Sequence, residues 1–131
     1  MFWKRKKVKK VAIVPISIVF ALMQESMDID APVMNLKISY HDKIYRIGIA
    51  SDYDHRRGFF DTVFFVADDC KRPWEKGLCY DTLHQFQASG KLGEIPFTDI
   101  KDEITILEDE DVGCPSGITM LIPYIVEVTK K

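Results

Sequence analysis

Residues 11–23 read V-A-I-V-P-I-S-I-V-F-A-L-M, and this stretch decides how the rest of the chain folds. It carries no charge, and only Pro15 and Ser17 interrupt its apolar run. The ten residues before it contain six positive charges, at Lys4, Arg5, Lys6, Lys7, Lys9 and Lys10. A basic segment followed by a short apolar one is typical of a secretory signal, but also of a buried strand with a solvated basic start. The assignment of this stretch therefore determines both the architecture and the compartment.

Three interpretations of residues 11–23 remain open: a buried central strand, a helix that Pro15 opens, and a membrane anchor formed by residues 1–23. Thirteen residues make a helix of only ~20 Å, against a hydrocarbon core of ~30 Å. The sequence Ala21-Leu22-Met23 ends in a large residue, which disfavours a signal cleavage site. We favour a strand running into a short helix in a cytoplasmic protein, with the anchored protein as the alternative.

The length and composition indicate one domain with a sizeable core, since the chain has 131 residues and 47% of them are apolar. The net charge of −2 conceals an asymmetry. Residues 1–10 hold +6, whereas the other 121 residues hold twelve basic and twenty acidic side chains, which sum to −8. We therefore expect a basic N-terminal arm at residues 1–10 and a single acidic domain at residues 11–131.

Alternating apolar and polar residues predict a hairpin of two strands, at residues 36–40 and 44–50, with His41-Asp42 as its turn. Residues 51–58, S-D-Y-D-H-R-R-G, are polar and predict a loop. Residues 59–67, F-F-D-T-V-F-F-V-A, are aromatic and β-branched, which favours a strand.

In the second half of the chain, Asp81 is the expected N-cap of a helix that runs to Ser89 and ends at Gly90. Strands are expected at residues 103–107 and 118–128, and Pro123 favours an edge position for the last one. The sum is an α+β fold, a mainly antiparallel sheet of about five or six strands with one or two helices.

Residues 94–111 contain eight acidic residues and one basic residue, and end in the consecutive acids Glu108, Asp109, Glu110 and Asp111. Such a surface attracts a basic protein and repels the phosphates of nucleic acid. Trp74 stands in a polar segment, K-R-P-W-E-K-G, where it is either packed onto the domain or exposed as an interface anchor. We predict that Trp74 and the four consecutive acids bind the partner.

In size, acidity and lack of catalytic spacing, the chain resembles small bacterial immunity or antitoxin-like inhibitors, a resemblance of composition alone. The resemblance implies a non-enzymatic module that acts on a basic protein partner. The basic start, with Phe2 and Trp3, is also suited to contact with an anionic membrane surface through residues 1–23. We expect no nucleic-acid partner, because the acidic body would repel one.

A different class of function, a small hydrolase or nuclease, is suggested by Asp52, Asp54, His55, Arg56 and Arg57. A histidine beside carboxylates can act as a general base, and arginines can stabilise an anionic transition state. The same segment fails as a calcium loop, because arginine occupies the position that requires glycine.

The three cysteines, Cys70, Cys79 and Cys114, form no metal-binding spacing, and we expect no metal or other cofactor. In the cytosol they are expected to be thiols. In an exported chain, Cys70 and Cys79 would be the pair to close a disulfide loop.

Overall fold

The apolar stretch divides at Pro15 into strand β1 (Lys7–Val14) and helix α1 (Ile16–Asp28). Proline suits this junction because its fixed φ and missing N–H are tolerated where a helix begins and would interrupt the hydrogen bonds of a strand. Four side chains of α1 are buried, namely Ile16, Val19, Leu22 and Met23. The prediction of a strand that runs into a short helix is confirmed.

The structure is a computed structural model and describes residues 7–29, 33–54, 56, 59–109 and 118–130. Because β1 begins at Lys7, the end of the predicted N-terminal arm belongs to the sheet, and residues 1–6 lie outside the described residues. Among the described helices, none combines the length and the apolar character needed to cross a membrane.

Three strands follow α1, and the second half of the chain consists of short helices and strands. They are β2 (Met34–Tyr40), β3 (Lys43–Asp54), β4 (Phe59–Asp68), α2 (Pro73–Lys76), β5 (Leu78–Tyr80) and α3 (Leu83–Ser89). The chain then forms β6 (Lys91–Leu92), β7 (Ile95–Pro96), a 3-10 turn (Phe97–Asp99), β8 (Ile104–Asp109), a 3-10 helix (Thr119–Tyr124) and β9 (Ile125–Lys130).

Seven strands form one antiparallel sheet in the order β5-β4-β3-β2-β8-β1-β9, while β6 and β7 form a small ribbon. The N-terminal strand β1 lies between the last two strands, so that Ala12 is opposite both Ile106 and Ile125. The α+β class and the antiparallel sheet are confirmed. The seventh strand is β5, whose three residues Leu-Cys-Tyr are too few to show an alternating pattern.

The predicted hairpin is present, with β2 and β3 joined by His41 and Asp42, whose φ angles are +48° and +64°. Positive φ at both turn residues matches the twist of the paired strands. The predicted loop at residues 51–58 is wrong in its first half, because β3 continues to Asp54 and pairs with β4 as far as Phe59. The pairing of β2 with β3 ends at Met34 and Ile49, so residues 50–54 and 59–63 project beyond β2 as a two-stranded hairpin.

The last predicted strand is shorter than expected. Residues 119–124, which include Pro123, form a 3-10 helix, and the strand β9 begins at Ile125. Its position at the edge of the sheet agrees with the prediction.

Helices α1 and α3 cover one face of the sheet, and Phe86 of α3 is the centre of an aromatic cluster beneath them. Phe86 is fully buried. Its ring centroid lies 4.9–6.2 Å from those of four other aromatic side chains, Phe20, Phe64, Tyr80 and Phe97. The face of the sheet that carries these contacts is the core face, and the opposite face is called the outer face below.

The N-cap of α3 is Thr82 and not Asp81, because the Thr82 hydroxyl oxygen accepts a hydrogen bond of 3.1 Å from the backbone N–H of Gln85. Aspartate and threonine are both favoured N-cap residues, and in the structure the helix begins directly after Thr82. The helix ends at Gly90 as predicted. A Cβ atom at Gly90 would lie 2.3 Å from the Phe97 ring, so the close approach of α3 to the core requires glycine there.

Replacing Phe86 with alanine should lower the free energy of unfolding by about 3–5 kcal/mol, because the substitution opens a cavity between four aromatic rings. The matched control is His84→Ala, at an exposed position on the same helix, which should change stability little. Urea denaturation of both variants measures the difference. Equal effects from the two substitutions would contradict the assignment of Phe86 to the core.

Candidate functional site

The segment that contains Trp74 packs on the outer face of the sheet. Phe65 alternates along β4 with the core residues Phe64 and Val66, and therefore points to the outer face, where it is buried. The ring centroids of Phe65 and Trp74 are 6.0 Å apart in an edge-to-face arrangement. Trp74 is half-buried, so it is packed on one side and accessible on the other.

A groove of about 680 Å³ lies beside Trp74 on the outer face. One wall is α2 with its neighbouring residue Arg72, and the opposite side is formed by Ser51, Asp61 and Val63, where the projecting hairpin starts. Met34, Asn35 and Ile49 of β2 and β3 also line it. The Arg72 guanidinium is paired with the Glu75 carboxylate at 2.8 Å and lies 6.0 Å from the Trp74 ring centroid.

A second depression, of about 580 Å³, adjoins the groove at Asn35, which lines both. Its lining comes from three strands and from the segment after β4, and comprises Asn35, Arg46, Asp69, Cys70, Lys71 and Glu108. Because Asn35 lines both of them, the two depressions are together called the outer-face groove below. Its Trp74 end is the depression beside α2, and its Glu108 end is the depression beside Arg46.

Arg46 connects the charged residues of this region. Its Nε donates to the Asp69 carboxylate at 2.9 Å, and its Nη2 lies 3.7 Å from the Glu108 carboxylate. The Arg46 side chain is only 15% exposed, whereas Asp69 and Glu108 remain 39% and 41% exposed. The guanidinium is thus held between two carboxylates that solvent and a partner can still reach.

The predicted acidic residues separate into different environments. Leu107 is an extra residue in β8, since Ile38 pairs with Ile106 while the preceding Lys37 pairs with Glu108. This bulge sets Asp109 opposite Leu36 of β2, where Asp109 is only 6% exposed. Asp109 is therefore not part of an accessible acidic surface, in contrast to the prediction, while Glu108 borders the outer-face groove.

The other described acids of residues 94–109 are spread over different elements. Glu94 lies in the turn between β6 and β7, Asp99 in the 3-10 turn, and Asp102 beside His41, whose Nε2 is 3.2 Å from the carboxylate. Glu110 and Asp111 lie outside the described residues.

The residues of the predicted hydrolase site belong to the projecting hairpin. Asp52 and Asp54 are in β3 and pair with Asp61 and Phe59, and Arg56 is an exposed turn residue. His55 and Arg57 lie outside the described residues. The hydrolase alternative therefore stays a prediction.

Asp68 and Asp69 each face a basic residue, since Asp68 is 3.1 Å from the Lys43 Nζ and Asp69 is bonded to Arg46. Within the described ranges, no three histidine, cysteine or acidic side chains converge in a way that could hold a metal ion. Cys70 and Cys79 are both free thiols, and Cys114 is not among the described residues. Burial raises the pKa of Cys79, whose Sγ donates to the Trp74 carbonyl oxygen at 3.0 Å.

The sequence does not single out Asn35, which lines both depressions, or Arg46, which pairs with the acids of the Glu108 end. Alternation over residues 44–50 places Arg46 on the face opposite the apolar residues, but its partners are 23 and 62 residues away along the chain, and Asn35 precedes the predicted strand 36–40. No protein-family model, curated protein or solved structure matches this chain.

Arg46→Met should lower the free energy of unfolding by about 1–2 kcal/mol. The substitution removes a mostly buried cation and leaves the carboxylates of Asp69 and Glu108 without their ion-pair partner. Lys43→Met is the matched control, since the pair of Lys43 with Asp68 is exposed and should matter little. Urea denaturation compares the two variants. A loss in Arg46→Met no larger than in Lys43→Met would show that the Arg46 contacts do not hold the outer face together.

Proposed function

We propose that this chain is a non-enzymatic protein-binding module whose partner is a basic protein. One observation carries the proposal: Trp74 and Glu108, which are 34 residues apart in sequence, line two neighbouring depressions that share Asn35. Both residues were predicted binding elements, and their common location supports a single docking surface.

Trp74 is suited to be the anchor of this surface. Its edge-to-face contact with Phe65 and the neighbouring guanidinium of Arg72 limit its motion before a partner arrives. A restrained aromatic side chain loses little conformational freedom on binding, and tryptophan is enriched among residues that dominate binding energy.

The charges of the region favour a cationic segment. Four acids line it, Asp61 and Glu75 at the Trp74 end and Asp69 and Glu108 at the other, against the three bases Arg46, Lys71 and Arg72. The net charge of the lining is therefore −1, and Arg46 and Arg72 are each paired with carboxylates. The −8 charge of residues 11–131 adds a long-range attraction for a basic protein and opposes nucleic acid. The proposal includes a cytoplasmic setting, which suits the free thiols of Cys70 and Cys79.

The first experiment finds the partner by photo-crosslinking in the native host. A photoreactive amino acid replaces Trp74 in one variant and His84 in another, because His84 is exposed on α3, away from the groove. The proposal predicts a crosslink to a protein of high isoelectric point from position 74 that is weak or absent from position 84. Equal crosslinking from both positions would indicate unspecific contact and contradict the proposal.

The second experiment measures binding to that protein. Glu75→Lys combined with Glu108→Lys should slow association about ten-fold and reduce its salt dependence, since the attraction at the groove is reversed. The control pair, Glu94→Lys with Glu103→Lys, makes the same charge change at exposed positions that do not line the groove, and should slow association less.

Trp74→Ala should mainly raise the dissociation rate, by about ten-fold, because the anchor is lost while the charges stay. Thermal melting checks that each variant remains folded. If the groove pair and the control pair slow association equally, the groove has no special role. If Trp74→Ala leaves the dissociation rate unchanged, the ring is not the anchor.

A further inference from the structure

A further pocket, of about 510 Å³, lies at the end of the sheet where β3 starts and β4 ends. Its volume is within the range of pockets that hold small organic molecules. Residues of β3, β4, α2, β5 and the β6–β7 ribbon line it, among them Tyr45, and it is called the Tyr45 pocket below. It shares only Cys70 with the outer-face groove and is therefore a separate site.

The end of the sheet that carries this pocket consists of described residues. The strand ends closest in sequence to residues outside the described ranges are at the other end, namely Lys7, Met34, Asp54, Phe59, Asp109 and Lys130. Tyr45 and Asp68, which line the pocket, pair with each other at the opposite end of β3 and β4. The pocket thus lies away from the points where those other segments join the sheet.

The floor of the pocket is apolar. Leu78 of β5 lies directly opposite Val66 of β4, and opposite residues of an antiparallel pair point to the same face. Val66 is buried, whereas Leu78 is 44% exposed. A ligand with an apolar body would cover Leu78 and remove this surface from water.

The Tyr45 hydroxyl provides a hydrogen-bond donor at this floor. The Tyr45 side chain is only 7% exposed, and no described residue forms a hydrogen bond with its hydroxyl. Buried tyrosines usually have such a partner. A Cβ atom at Gly93 would lie 2.8 Å from the hydroxyl oxygen, so the glycine leaves this oxygen open to the pocket that both residues line.

The charged residues of the pocket favour an anion. Lys76 and Lys91 line it, are exposed, and form no ion pair with any residue in the described part of the chain. Asp68 also lines it, but its carboxylate is 3.1 Å from the Lys43 Nζ. Glu94 is next to Gly93 in sequence but does not line the pocket. Two lysines and one aspartate give the lining a net charge of +1, in contrast to the net charge of −2 for the whole chain.

We propose that the Tyr45 pocket binds a small organic monocarboxylate. The carboxylate lies between the Lys91 ammonium and the Tyr45 hydroxyl, which donates a hydrogen bond to it, and the apolar body covers Val66 and Leu78. One negative charge matches the net charge of the lining, whereas a dianion would leave one charge unmatched. The proposal is independent of the protein-binding function, which rests on other residues.

Amide NMR titration with octanoate tests the site. Octanoate should shift the amides of Leu78, Lys91 and Gly93 with a saturable dissociation constant of about 1 mM. Acetate has the charge without the apolar body, and octanol has the body without the charge, so at equal concentration each should occupy the pocket about five-fold less or weaker still. Shifts that do not saturate, shifts centred outside the pocket, or octanol binding as tightly as octanoate would overturn the proposal.

Substitution of the lysines tests the role of charge. Lys76→Met combined with Lys91→Met should raise the octanoate dissociation constant about ten-fold, because both cations are lost. The control pair, Lys10→Met with Lys101→Met, makes the same charge change at exposed positions outside the pocket and should leave the constant nearly unchanged. Equal weakening by the two pairs would show only an effect of total charge and would refute the site.

Removal of a single hydroxyl tests the position of the carboxylate. Tyr45→Phe should raise the octanoate dissociation constant about five-fold and leave octanol binding unchanged, since only the carboxylate accepts the hydrogen bond. Tyr40→Phe is the matched control, because Tyr40 is an equally buried tyrosine, 5% exposed, that does not line the pocket. Thermal melting verifies that each variant is folded. An effect of Tyr45→Phe no larger than that of Tyr40→Phe would contradict the proposed binding mode.

Discussion

The insertion of β1 between β8 and β9 is the constraint on which the rest of the structure depends. Its pairs join residues about ninety or more positions apart, such as Ala12 with Ile106. Closing so long a chain segment costs entropy, and burial of Val11, Ala12 and Val14 with the apolar face of α1 offsets that cost. Without β1, the sheet would end at β8 and β9 would have no strand to pair with. Helix α1 would also lose the strand that precedes it and positions it on the core face.

The two faces of the sheet differ because the strands alternate in composition. The core face is apolar and is covered by α1 and α3. On the outer face, the short helix α2 contacts β4 and covers only part of the sheet. Small and polar residues of β2 and β3 leave the groove open beside Trp74. At Gly48 a Cβ atom would lie 1.9 Å from the Met34 carbonyl oxygen, so the close approach of the strands next to Asn35 requires glycine. The same alternation that builds the core therefore shapes the proposed binding surface.

Sequence alone predicted the elements whose local pattern is strong. The hairpin of β2 and β3 follows from alternation and a turn, and the division at Pro15 follows from proline chemistry. The polar residues 51–54 predict a loop, but they form the end of β3. A strand can be polar there because the hairpin projects beyond β2. The burial of Asp109 depends on a bulge at Leu107, and the Arg46 contacts depend on distant residues. Such features depend on register and tertiary pairing, which a local pattern does not encode.

Hydrogen–deuterium exchange of the full chain, read by residue, tests the central claim that residues 11–23 belong to the core. If β1 is an inner strand of the sheet, the amides of Val11, Ala12 and Val14 that pair with β8 and β9 exchange as slowly as those of β2 and β3, at the rate of global unfolding. Rapid exchange of residues 11–23 while β2 and β3 stay protected would contradict the account, because the N-terminal segment would then be separate from the folded domain.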